Sequence, residues 1–63
     1  MNDIGTKYNL KELGTRIKNL RELRKKTQLN VAEVLNIRRQ TLINWEVGDT
    51  IPSLEKLIEL CKI

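Results

Sequence analysis

From Asn9 onward, apolar side chains return every three or four residues. Leu10, Leu13, Ile17, Leu20 and then Leu23 or Arg24 share one stripe, the pattern of an amphipathic helix. Asn9 offers an N-cap oxygen, and Glu12 at the third helical position completes a capping box. Gly14 interrupts the run, at about 1 kcal/mol relative to alanine. The helix is expected to end at Arg24-Lys25-Lys26, where cations suit the negative end of its dipole. Thr27 caps a second helix from Gln28 to Leu35, with Val31, Ala32, Val34 and Leu35 apolar, and Asn36 ends it because asparagine tolerates left-handed backbone. Ile37, apolar at a turn, is expected to pack inward. Residues 38–46 form a third, short helix in which only Leu42 and Trp45 share an apolar face, and Gly48 sits where a C-terminal glycine cap belongs. After Asp49-Thr50-Ile51, Pro52 restarts the chain into a fourth helix marked by Leu54, Leu57, Ile58 and Cys61, the cysteine being read as a small core residue. No segment alternates with period two. The pattern predicts an all-α chain, a compact bundle of four short helices.

The middle of the chain carries more than periodicity. Ala32, Asn36, Leu42 and Trp45 stand in the order required by two helices joined through a tight turn, a helix-turn-helix. A small residue, Ala32, lets the helices cross closely. Asn36 takes the left-handed position of the turn. Leu42 and Trp45 bury one narrow stripe, which leaves Arg39, Gln40, Ile43 and Asn44 on the opposite face, with Arg38 and Thr41 at its edges. Arginine pairs bidentately with guanine, and Gln and Asn with adenine. Ile43 fits either a thymine methyl or an ordinary exposed aliphatic, whereas Trp45 reads as core. Before Glu46 this face holds no acid.

Charge sharpens that picture. Twelve Lys and Arg against eight Asp and Glu leave a net +4 over 63 residues. Residues 1–15 balance. Residues 16–39 hold eight cations against two anions, and residues 40–63 two against four. A chain basic in its middle and acidic at its end can turn one side to a polyanion. Composition excludes other classes. Without histidine and with Cys61 as its one cysteine, the chain has no disulfide, no zinc-ligand spacing and no nucleophile–base pair. It is therefore expected to be no enzyme and to need no cofactor or metal. No apolar run exceeds two residues, too short to span a membrane. The free thiol and the lack of a secretion signal in Met1-Asn2-Asp3-Ile4-Gly5 lead to an expected cytoplasmic location.

The segment from Leu13 to Leu57 resembles the Cro/phage-repressor helix-turn-helix domain, also called Xre-type. The resemblance is carried by Leu13-Gly14-x-Arg16-Ile17, Leu20-Arg21, Thr27-Gln28, Val31-Ala32, Arg39, Thr41, Trp45-Glu46-x-Gly48 and Pro52-Ser53-Leu54. It implies a lambda-repressor-like fold, of five helices in the family, and a DNA-binding regulator of bacterial, phage or plasmid origin. The second helix of the motif would enter the major groove. The resemblance sets Arg38, Arg39, Gln40, Thr41 and Asn44 against DNA, and Thr27 and Gln28 at a helix N-terminus touching phosphate, where free N–H groups favour an anion. It also supplies Arg21 as partner for Glu46, whose carboxylate otherwise opposes the helix dipole. Three features depart from the family. Lys25-Lys26 stand where glycine and leucine are usual, so a left-handed Lys25 would cost on the order of 1 kcal/mol. The loop after Gly48 is Asp49-Thr50-Ile51 rather than basic, so little phosphate contact is expected there. No fifth helix follows within the sequence, which leaves oligomeric state open.

Together these readings divide the chain into an N-terminal arm, 1–8, and a helix-turn-helix domain, 9–63, with its motif at 28–46. Tyr8 is assigned either to anchoring that arm or to a phosphate. The expected function is a sequence-specific transcriptional repressor, dimeric on a palindromic operator of double-stranded DNA. Two alternatives share the fold: an antitoxin that autoregulates a toxin–antitoxin operon, and a protein-interaction module without DNA binding.

Overall fold

A computed structural model describes residues 9–63; the expected arm 1–8 and Tyr8 lie outside that range. Four helices follow in order: α1 Leu10–Leu23, α2 Gln28–Leu35, α3 Arg39–Val47 and α4 Leu54–Cys61. There is no strand among the described residues. Among the described residues no helix is long and apolar enough to cross a membrane. Helix α1 packs on α3, and α2 packs on both α3 and α4. Their shared core is Ile17, Val31, Leu35, Leu42, Trp45 and Leu60, with Leu13, Ile37 and Leu57 half-buried around it. Leu42 is wholly buried and Trp45 is 5% exposed, so the indole serves packing.

The helix starts follow from their caps. Asn9 Oδ1 accepts from the N–H groups of Lys11 and Glu12 at 2.9 and 3.2 Å. The Glu12 carboxylate is turned to Arg16 Nη2, 3.1 Å away, in an exposed pair that adds little. The reciprocal capping box forms instead on α2. There Thr27 Oγ1 accepts from the Asn30 N–H at 3.0 Å and Asn30 Oδ1 from the Thr27 N–H at 3.4 Å.

Three helices end in one way. The N–H groups of Lys25 and Lys26 bond the Glu22 and Arg21 carbonyls, those of Asn36 and Ile37 bond Glu33 and Ala32, and those of Gly48 and Asp49 bond Trp45 and Asn44. This crossed pair of bonds needs a left-handed residue. Lys25, Asn36 and Gly48 take that conformation, at φ of 58°, 57° and 88°. Only Lys25 pays the full Cβ penalty for it.

Gly14 has a different meaning from its helix propensity. A Cβ there would lie 2.5 Å from the Glu46 carbonyl oxygen and closer still to that of Trp45. The absent side chain is what allows α1 to meet the end of α3 at backbone distance. The same crossing buries a charge pair: Arg21 and Glu46, 9% and 8% exposed, meet with Nε to Oε2 at 2.7 Å and Nη2 to Oε1 at 3.2 Å. Arg21 Nη1 also donates to the Lys26 carbonyl at 3.0 Å, so the pair braces the α1–α2 turn as well.

Helix α4 corrects the sequence reading. Leu54 and Ile58 are exposed, as is Cys61, and the buried residue is Leu60. Two apolar stripes overlap on α4, sharing Leu57, and periodicity cannot choose between them. Lys56 supplies the choice: its Nζ donates to the Leu35 carbonyl at 2.6 Å and to Glu59 Oε1 at 3.3 Å. Turning Lys56 to the end of α2 brings Leu60 inward and Cys61 out. On α1, Leu23 is likewise exposed, and Arg24 Nη1 reaches the Ile63 carbonyl. Val34 also faces solvent.

Two substitutions test these causes. Helix propensity alone predicts that Gly14→Ala stabilises the protein by about 1 kcal/mol. The close approach reverses the sign, so thermal unfolding should show a loss of about 1–3 kcal/mol, typical of overpacking. Lys25→Gly relieves the left-handed penalty and should gain up to about 1 kcal/mol in the same assay, after the larger unfolded-state entropy of glycine is deducted.

Candidate nucleic-acid interface

Helix α3 begins where Arg38, in extended conformation, serves as N-cap without a side-chain bond. The helix therefore runs one residue later at each end than the sequence placed it, with Arg38 flanking it rather than opening it. Leu42, Trp45 and Glu46 are buried. The opposite side carries exposed Arg39 and Gln40, with Thr41, Ile43 and Asn44 half-buried. Glu46, the one acid in α3, is folded away into the pair with Arg21. The outward face is thereby free of negative charge.

The side chains of this face are held by two sets of bonds. Gln40 Nε2 donates to Asn44 Oδ1 at 2.9 Å, one turn apart. That leaves the Gln40 carbonyl oxygen as an acceptor and the Asn44 amide nitrogen as a donor on the outer surface. The second set reaches into the protein. Arg39 Nε and Nη2 both donate to Gln28 Oε1, each at 3.3 Å. Gln28 Nε2 in turn donates to Glu46 Oε1 at 3.0 Å. Gln28 and Arg39, eleven residues apart in the chain, are thus joined to the Arg21–Glu46 pair. Bonding to Glu46 raises the pKa of Arg21 above its ordinary value against the opposing effect of burial, with the charges of Glu46 and Glu22 adding to it. A raised arginine pKa means that this stabilisation is fully present below the unfolded value and lost only as pH climbs through the folded one. It is constant at any pH near neutrality.

The N-terminus of α2 faces the same side. Lys18, Lys26, Thr27, Gln28, Leu29 and Arg39 line an open cleft there, with Arg21 at its base. Thr27 is exposed with its hydroxyl engaged in the cap, and Gln28 is half-buried with its amide engaged at both ends. The structure thus gathers Thr27, Gln28 and Arg39 around one cleft, sets Gln40 and Asn44 as a separate pair along α3, and leaves Arg38 exposed at the N-cap of α3.

Several participants escape the sequence reading. Lys18 entered it only as one charge among many, yet it lines the cleft. Its spacing from Arg21, one helical turn, was the available signal. Asn30 takes the reciprocal cap role that Glu or Gln usually fills at the third helical position, so the Thr27-x-x-Asn30 spacing alone gives only a weak signal. Nothing local to Gln28 announces its bonds to Glu46 and Arg39, because they depend on how α2 sits against α3.

Comparison with known proteins bears on the same elements. Among curated proteins and among solved structures, nothing matches the chain. A family model described as helix-turn-helix matches residues 17–63, from the middle of α1 through α4. The chain belongs to the Cro/C1-type helix-turn-helix family of DNA-binding regulators.

Proposed function

We propose that the protein is a sequence-specific transcriptional repressor that sets α3 in the major groove of operator DNA. The observation that carries this reading is the outward face of α3. Arg39 and the Gln40–Asn44 pair lie on that side of the helix, while its sole acid is turned inward to Arg21. A surface evolved only for solubility has no need to remove its acid. In this pose Arg39 meets a guanine edge, the Gln40–Asn44 pair meets adenine, and Ile43 and Thr41 lie within reach of thymine methyls. Exposed Arg38 at the N-cap of α3, and Lys18 and Lys26 beside the α2 N-terminus, take the phosphates, with the first backbone N–H groups of α2.

One α3 spans only a few base pairs, too few for useful selectivity, so the active species is a homodimer on a two-fold operator. Its half-sites would lie about 10–10.5 base pairs apart, one turn of DNA. Occupancy of such a site blocks polymerase. Selection of bound duplexes from a random pool at near-physiological salt tests the reading. The expected product is a short palindrome; recovery of no enriched sequence would instead support a protein-interaction module on the same fold.

Individual residues separate readout from attraction. Arg39→Ala should relax base preference at one position per half-site by about 1–3 kcal/mol of discrimination. Lys26→Ala should weaken specific and random duplexes alike and reduce the slope of log affinity against log salt by about 0.9 per subunit, the value of one phosphate contact. Titrations of both duplex types across a range of salt distinguish the two. Equal behaviour of the variants would overturn the assigned roles.

A further inference from the structure

We propose that the outward side of α4 is a self-pairing surface: two copies of the chain meet there, α4 against α4, antiparallel about a two-fold axis that passes beside Ile58. This gives the dimer proposed above its contact. The contact is testable without DNA, so it and the major-groove reading can fail separately.

Helix α4 carries more apolar surface than the core takes up. Leu57 and Leu60 pack on the core, and Lys56, bonded to the Leu35 carbonyl, fixes that rotation. Leu54, Ile58 and Cys61 are left outside at spacings of four and three residues, with Leu54 73% and Ile58 49% exposed. They form a second apolar stripe along the same helix. A continuous stripe left open in this way marks a contact surface.

The charges beside the stripe select its occupant. Glu55, Glu59 and Lys62 follow one edge of it. Glu59 is taken by Lys56 at 3.3 Å. Glu55 and Lys62 are exposed and have no ion-pair partner among the described residues. Seven residues apart, they stand about 20° apart around the axis, yet too far along it to reach each other. A stripe that is negative at one end and positive at the other complements itself when a second copy runs the opposite way. Centring the pair on Ile58 lays the stripes of the two copies against each other. Each Glu55 then lies within about 1.5 Å, along the axis, of the level of the partner's Lys62. A partner of unrelated sequence gives no reason for this symmetric arrangement of charge.

The contact is small. Eight residues of helix are about 12 Å long, which keeps the buried area below the roughly 1,200 Å² of a stable interface. The free protein therefore pairs weakly, and two neighbouring half-sites on DNA complete the pairing by holding two copies close together.

Sedimentation equilibrium of the free 63-residue protein reads the association, with melting curves at low concentration to verify folding. The expected Kd is on the order of 0.1 mM, so that monomer prevails near about 10 µM and dimer near about 1 mM. Ile58→Arg should stay monomeric throughout, because two guanidinium groups would meet at the axis. Glu55→Lys and Lys62→Glu should each raise Kd by about threefold to tenfold, since each alters two symmetric pairs. The double reversal should return Kd to within about twofold of wild type, a recovery that a purely structural role for either charge does not produce. Disulfide trapping checks the register. In a Cys61→Ser background, Ile58→Cys should link to its copy under mild oxidation, because facing residues of packed helices come within disulfide reach. Wild-type Cys61, separated from the partner's Cys61 by about 9 Å along the axis, should not. On DNA, Ile58→Arg should bind a single half-site no more weakly than wild type and the full palindrome at least about tenfold more weakly. The self-pairing surface is overturned by a protein that stays monomeric to about 1 mM, by a dimer that Ile58→Arg leaves intact, or by a double reversal that recovers nothing. Linkage through Cys61 in place of Ile58→Cys would overturn it as well. A wild type that dimerises in this way but prefers no DNA sequence leaves the surface standing and removes the major-groove reading.

Discussion

The structure depends on a buried pair of opposite charges at the crossing of α1 and α3. Arg21 and Glu46 are both almost fully covered and satisfy each other through two bonds, with Lys26 and Gln28 completing the set. Such a pair adds little net stability over well-packed apolar residues, yet losing one partner typically costs about 3–5 kcal/mol. Its main consequence is therefore geometric. A nine-residue helix with an apolar stripe of only Leu42 and Trp45 has little to fix its rotation. Directional bonds to α1 do so, and the glycine at position 14 allows the approach that makes them.

Fixing α3 from behind determines what its front can offer. With Glu46 turned inward, the outer face carries amide and guanidinium groups without a competing acid. The same carboxylate reaches the front through Gln28, so that core and proposed reading surface belong to one hydrogen-bonded unit. The α1–α2 turn is part of it, because the Lys26 carbonyl that Arg21 anchors belongs to the left-handed Lys25-Lys26 turn. A chain of this size buries only about 60% of the surface its unfolded form exposes. Using one ion pair to brace a turn, orient a helix and hold a surface side chain is economical in such a small core.

Much of this was legible in the sequence, for identifiable reasons. The four helices followed from apolar spacing and from the punctuation of Asn9, Thr27, Asn36 and Gly48, each of which acts through its own backbone or nearest turn. What escaped was decided by neighbours. Gly14 looked like a helix defect until the Trp45 and Glu46 carbonyls stood against it. Cys61 and Leu60 exchanged places because Lys56 reached across to α2 and set the rotation of α4. The composition of the candidate site was readable on one helix, since Arg39, Gln40 and Asn44 are local in sequence. Its bonding was not, since Gln28 meets Glu46 and Arg39 only after α2 and α3 have packed.

Groove identity is the most direct measure of whether the outward face of α3 does the reading. Guanine N7 opens to the major groove and adenine N3 to the minor groove, and dimethyl sulfate methylates both. On a selected operator, bound protein should shield guanine N7 at the half-site positions, and Arg39→Ala should restore methylation at one of them. Shielding confined to adenine N3, or guanine N7 methylated as freely as in bare DNA, would contradict a major-groove role for α3.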